Sequence, residues 1–169
     1  MSSTLPDFLR ETQAAVKSQM RDGALYEELV FAGIVMDHMS EIGMTFEPVE
    51  CHYEGTVVNA KLRLSGYSIS DDSDQLDLFV SLYAGAEEPS PITDTETKQA
   101  AERCLRFLTE CAEGRMAQRL DQSSDVRSLA ETLQAIYNDL EHVLVAVASE
   151  RDTKSKRFKT RDIGGKTVR

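Results

Sequence analysis

At 169 residues, 41% of them hydrophobic and 7% aromatic, the chain is long enough for one domain that buries roughly two-thirds of the surface its unfolded form exposes. No apolar run approaches the roughly 20 residues of a membrane span, and "MSSTLPDFLRETQ" has no basic segment leading into an apolar core, so a cytoplasmic protein without membrane contact is expected. The net charge of −10 argues against tight phosphate binding by the domain as a whole, but it is uneven: residues 151–169 hold 8 Lys/Arg and 2 Asp/Glu, leaving residues 1–150 with 11 against 27.

A first amphipathic helix is predicted over Pro6 to Met20 and a second over Ala24 to Ile42, whose stripe of Leu25, Leu29, Ala32, Met36 and Met39 ends at Gly43. Three extended segments follow, Val49 to Tyr53, Val57 to Ile69 and Gln75 to Tyr83, divided by Glu54-Gly55 and by an aspartate-rich turn. In the second, Leu62 and Leu64 alternate with charged neighbours while Tyr67 and Ile69 continue in the opposite phase, so the register shifts at Ser65-Gly66. A third helix is predicted from Thr95 to about Met116, with Ala100, Cys104, Phe107, Leu108 and Cys111 inward. A fourth, capped by Ser123 or Ser124, carries Val126, Leu129, Leu133, Ile136 and Leu140. "HVLVAVAS" then reads as a strand buried on both faces. The expected fold is α/β (α+β), a mixed sheet with helices packed on it in the order α-α-β-β-β-α-α-β. Residues 1–150 form one domain in this reading, and 151–169 a basic connector entering a truncated strand at "IGGKTVR". The basic tail is the one feature that favours nucleic acid.

The hairpin raises a chemical question, because carboxylates on a sheet with a lysine nearby can bind Mg²⁺ or Mn²⁺ and cleave phosphodiesters. Glu28 projects within the apolar stripe of its helix, where a carboxylate needs a partner. Asp72 stands in the turn and Asp77 on the strand, on the face of Phe79 and Ser81. Asp71, Asp72 and Asp74 also suit turn chemistry. No Lys occurs between Arg63 and Glu96, so a Glu-x-Lys pair is missing from its strand, and Ser65 stands where an acidic ligand is expected. A nuclease using Glu28, Asp72 and Asp77 would have to bring its lysine from Lys61 or the basic tail. His38, His52 and His142 lack ligand spacing, and Cys51, Cys104 and Cys111 form no CxxC pair. "DIGGK" has no strand before it and is no phosphate loop.

"LYEELVFAGIVMDHMSEIG" (25–43), "LSGYSISDDSDQLDLFVSLY" (64–83), "AERCLRFLTEC" (101–111) and "HVLVAVAS" (142–149) together resemble the N-terminal region of the AIPR family, the abortive-infection phage-resistance proteins. The most specific piece is the G-Y-x-x-x-D-x-x-x-x-L-x-L-F-V pattern from Gly66. The resemblance implies a bacterial antiphage protein with a restriction-endonuclease-like, PD-(D/E)XK-related fold at its N-terminus. Its partners would be the remainder of a longer protein and restriction-modification or other defence components. It also implies that Glu28 matches a helix glutamate, that Ser65-Gly66-Tyr67 replaces a common "DGY", and that Asp77-Leu78-Phe79 replaces the catalytic Glu-x-Lys. The expectation is a non-catalytic nuclease-like module needing no cofactor; the alternative is a metal-dependent nuclease.

Overall fold

Six strands share one mixed sheet in the computed structural model, which describes residues 27–57, 60–82, 93–149, 161–163 and 166–168. Helix α1 (Glu27–Glu41) leads into a meander of β1 (Val49–Val57), β2 (Ala60–Ile69) and β3 (Gln75–Leu82). Helix α2 (Asp94–Ala112), the short α3 (Arg115–Arg119), α4 (Asp125–Ile136) and a 3₁₀ turn (Tyr137–Asp139) then cross over to β4 (His142–Ser149). β4 runs parallel to β3, as a strand returning through helices must if it is to join the same sheet edge in that direction. β5 (Arg161–Ile163) and β6 (Lys166–Val168) close the order β1-β2-β3-β4-β6-β5.

Each element has a local cause. At the end of α1, Gly43 takes φ +76°, a conformation that costs other residues a Cβ clash, while Met44 N–H reaches Met39 O and Gly43 N–H reaches Ser40 O. Helix α2 opens with a reciprocal cap: the Thr93 side chain accepts from Glu96 N–H, and the Glu96 carboxylate accepts from Thr93 N–H. The cap is therefore Thr93 and not Thr95, which lies inside the helix. Left-handed Gly114 ends this helix, and the chain restarts as α3 with Met116 buried, where a single helix to Met116 was expected. Ser124 caps α4 through Val126 N–H.

The larger core lies between the sheet and α2–α4. Leu62, Leu64, Leu76, Leu78, Val80 and Val143 of the strands meet Cys104, Phe107, Leu108, Cys111, Leu129 and Leu133 of the helices. Tyr67 and Ile69 pack against the same core as Leu62 and Leu64, which bears out the phase change read at Ser65-Gly66. On the opposite face α1 sets Ala32 and Met36 on Phe79, with Met39 and Ala146 beside them. β4 is only half-buried along most of its length, with Val143 fully enclosed.

Two further expectations need correction. β1 runs through Glu54-Gly55 to Val57 where a turn was placed: Glu54 pairs with Arg63 and Gly55 with Leu62 of β2, and the glycine leaves room for the Tyr53 ring, which a Cβ would strike. "IGGKTVR" contributes to two strands, with Thr167 paired to His142 and Val168 to Val143, and Val168 belongs to the main core. The helix predicted over Pro6 to Met20 lies outside the described residues. Among the described residues no helix is long and apolar enough to cross a membrane.

Candidate functional site

The register shift is built by two devices. Between the pairs Glu50↔Gly66 and Tyr53↔Leu64, β1 advances three residues while β2 advances two, so Cys51 and His52 stand opposite Ser65. On the other side of β2 the ladder to β3 ends at Gly66↔Phe79, and the Ser65 hydroxyl takes over, accepting Ser81 N–H at 3.0 Å with Ser81 Oγ 3.2 Å away. Both serines are buried. Gly66 is required here: a Cβ would meet the Met36 side chain and stand 2.8 Å from Val49 O. Where the resemblance implies an acidic ligand, this chain has a hydroxyl committed to a backbone bond.

Asp77 lies on the α1 face of the sheet and is fully buried. Its Oδ2 accepts from Thr45 Oγ1 at 2.7 Å and its Oδ1 from Gln75 Nε2 at 3.0 Å. Both donors are neutral, and no cation pairs with it among the described residues. A carboxylate in that position depends on those two bonds to offset its lost hydration. Ser68, its partner across the β2–β3 ladder and so on the same face, is equally buried, and its Oγ has no hydrogen-bond partner.

The turn places its aspartates elsewhere. Asp71 and Asp72 are exposed at the tip, Ser73 takes φ 56°, and Asp74 Oδ1 accepts from Ser70 Oγ at 2.7 Å. Asp74 O also receives the N–H groups of Glu141 and His142, so the turn docks the start of β4. Asp72, exposed at the tip of the turn, is five residues along the chain from buried Asp77. Glu28 lies in the first turn of α1; its side chain is outside the described residues.

Among the described residues neither Lys61 nor the tail's Lys166 reaches Asp77, and Lys154, Lys156 and Lys159 lie outside the described residues. Lys61 is exposed on β2, seven residues from Ser68, which is roughly 23 Å along a strand. In the tail, Lys166 is buried on the opposite face of the sheet, donating to Leu140 O at 2.9 Å beneath the Tyr137 ring, 4.5 Å from its centroid. Among the described residues no group of three or more His, Cys, Asp or Glu side chains is placed to hold a metal ion. The three thiols are free and buried; burial pushes Cys51 up to about 11 and Cys104 and Cys111 up to about 12, so none is a thiolate at neutral pH.

Thr45 and Gln75, which hold Asp77, were not visible as partners in the sequence. The alternation of Thr45 with the apolar Met44 and Phe46 was the available signal.

The model of the abortive infection phage resistance protein N-terminal domain matches residues 31–169. The chain belongs to this family. Its role is accordingly in phage resistance by abortive infection. The match spans the meander, the crossover and the β5–β6 hairpin of this AIPR domain, and it begins three residues after Glu28. Comparison with curated proteins gave no match, and comparison with solved structures gave none.

Proposed function

We propose that this AIPR domain is a non-catalytic, nuclease-like module of a bacterial, cytoplasmic phage-resistance protein, working through structure and partner binding. The observation that carries the reading is Asp77: the carboxylate that stands where the resemblance has the glutamate of Glu-x-Lys is fully buried, with each oxygen accepting a hydrogen bond, from Thr45 and from Gln75. A metal ligand must face a space that admits the ion, whereas this carboxylate is enclosed and fastens a loop. Ser65 at the other ligand position and the remoteness of Lys61 and Lys166 support the same conclusion. The antiparallel meander followed by a helical crossover to a parallel strand fits a nuclease-like framework. The remainder of a longer protein, and restriction-modification or other defence components, are the proposed partners.

The alternative is a PD-(D/E)XK-type nuclease using Glu28, Asp72 and Asp77. One observation favours it: the unpartnered Ser68 hydroxyl beside Asp77 marks polar capacity that the protein itself does not use.

The test is incubation of the purified chain with Mn²⁺ or Mg²⁺ and single- and double-stranded DNA and RNA, beside Glu28→Gln and Asp77→Asn. No cleavage by any of the three is expected. Cleavage by the parent that either variant loses while remaining folded would establish the nuclease.

A further inference from the structure

Among the described residues, the large apolar side chains that stand exposed all fall in one eight-residue stretch: Ile42 (55%), Met44 (59%), Phe46 (41%) and Val49 (45%). Scattered apolar residues on a surface need no explanation, but four gathered within eight residues of one loop and strand start do. The stretch is also held in place. The glycine-terminated end of α1 fixes its start, Ser40 Oγ donates to Phe46 O at 2.9 Å, and Thr45, between Met44 and Phe46, is bonded to Asp77. A backbone tied at these points displays its side chains with little ordering entropy left to lose on binding.

The charge along this part of the sequence has one sign. From Glu27 to Val57 the sequence holds seven Asp/Glu and no Lys or Arg. Asp37, Glu41, Glu47 and Glu50 are exposed there, while exposed Glu54, farther along β1, stands opposite Arg63 of β2. An anionic lipid surface or nucleic acid would be repelled, and a second copy would bring the same carboxylates against these.

We infer that Ile42, Met44, Phe46 and Val49 form the docking surface for a cationic amphipathic segment of a partner protein, apolar along one face and flanked by Lys or Arg. This rests on the partner-binding reading above and names the chemistry of the partner. The loop supplies the apolar contact, the surrounding carboxylates select the charge, and buried Asp77 holds the platform.

The test is selection from a displayed library of random 16-residue peptides on the full chain, with counter-selection on M44S/F46S. Both substituted side chains are exposed, and an unchanged circular dichroism spectrum and melting temperature verify the fold. Enriched peptides are expected to pair apolar residues at helical spacing with Lys or Arg, to lose at least tenfold in affinity for M44S/F46S and for E41K/E47K, and to weaken with added salt. Enrichment of acidic or uncharged sequences, or affinities that M44S/F46S leaves unchanged, overturns the inference. So does no enrichment, or self-association that M44S/F46S abolishes. The metal-dependent cleavage assay on the same preparation separates the two claims: cleavage defeats the non-catalytic reading, whereas failed selection without cleavage defeats only the docking surface.

Discussion

Thr45 Oγ1 donates to Asp77 Oδ2 across 2.7 Å, linking residues 32 apart and tying the loop after α1 to a central strand of the sheet. A hydrogen bond to a charged group is worth about 1.5–3 kcal/mol, and removing one partner leaves the other buried and under-satisfied. Thr45→Val is expected to lower unfolding free energy by about that amount. Urea melts would measure it, and a double-mutant cycle with Asp77→Asn should show strong non-additivity. Additive losses would mean that the two residues stabilise the fold separately.

Gly66→Ala tests the crowded crossing of α1 over β2. The new methyl group would press on the Met36 side chain, which can turn away, and on Val49 O at 2.8 Å, which cannot. A loss of about 1–3 kcal/mol is expected. Adding Met36→Ala should fail to restore it, because the carbonyl remains; full rescue would place the whole conflict at the methionine.

Ser65→Ala removes the hydroxyl that receives Ser81 N–H in place of a backbone carbonyl. The expected cost is about 1–3 kcal/mol by chemical denaturation. Amide exchange at Ser81 should accelerate more than at Leu78, whose strand pairing with Tyr67 is unaffected. Equal acceleration at both sites would point to general loosening of the hairpin.

The buried thiols predict alkaline destabilisation. An unfolded thiol ionises near the ordinary value of 9.0, while Cys104 and Cys111 hold their protons to about 12 and Cys51 to about 11. Their folded values are raised, so the stabilisation is complete below about pH 9 and is lost as the pH climbs towards the folded values. Near pH 10.5 the loss is on the order of 2 kcal/mol per thiol. Burial moves Tyr53 and Tyr67 in the same direction. Urea midpoints at pH 7.5 and 10.5 would show the fall, and it should be smaller in Cys104→Ala. At pH 7.5 iodoacetamide should leave all three thiols of the native protein unmodified; rapid labelling of Cys104 would contradict its burial.

Much of this fold was legible because its signals are local. The inward set Ala100, Cys104, Phe107, Leu108 and Cys111 follows from helical spacing, and all five are buried. The change of phase between Leu64 and Tyr67 announced a real irregularity, though not that β1 would carry the extra residue. Gly55 misled because a glycine beside an aromatic ring reads in one dimension like a turn. Thr93 was missed as a cap although its reciprocal partner, Glu96, was in view. The candidate site was least legible. The sequence could put Asp77 on a face, but its burial and its bond to Thr45 arise from the way a distant loop returns over the sheet. Likewise nothing local marks Lys166 as buried, since the 3₁₀ turn that offers it Leu140 O and the Tyr137 ring lies 26 residues away.

The parallel pairing of β3 with β4 has a consequence for synthesis on the ribosome. β3 carries buried Leu76, Leu78, Phe79 and Val80, yet one of its two edges is completed only when its partner arrives, with Gln75 set against His142 at a separation of 67 residues. A nascent chain that has released the meander must therefore hold an apolar strand with an open edge while all three crossover helices are translated. Contacts of such sequence separation form late, and an open strand edge is where neighbouring chains associate. Chaperone occupancy on translating ribosomes should accordingly rise as β3 emerges and fall once His142 to Ser149 has cleared the tunnel.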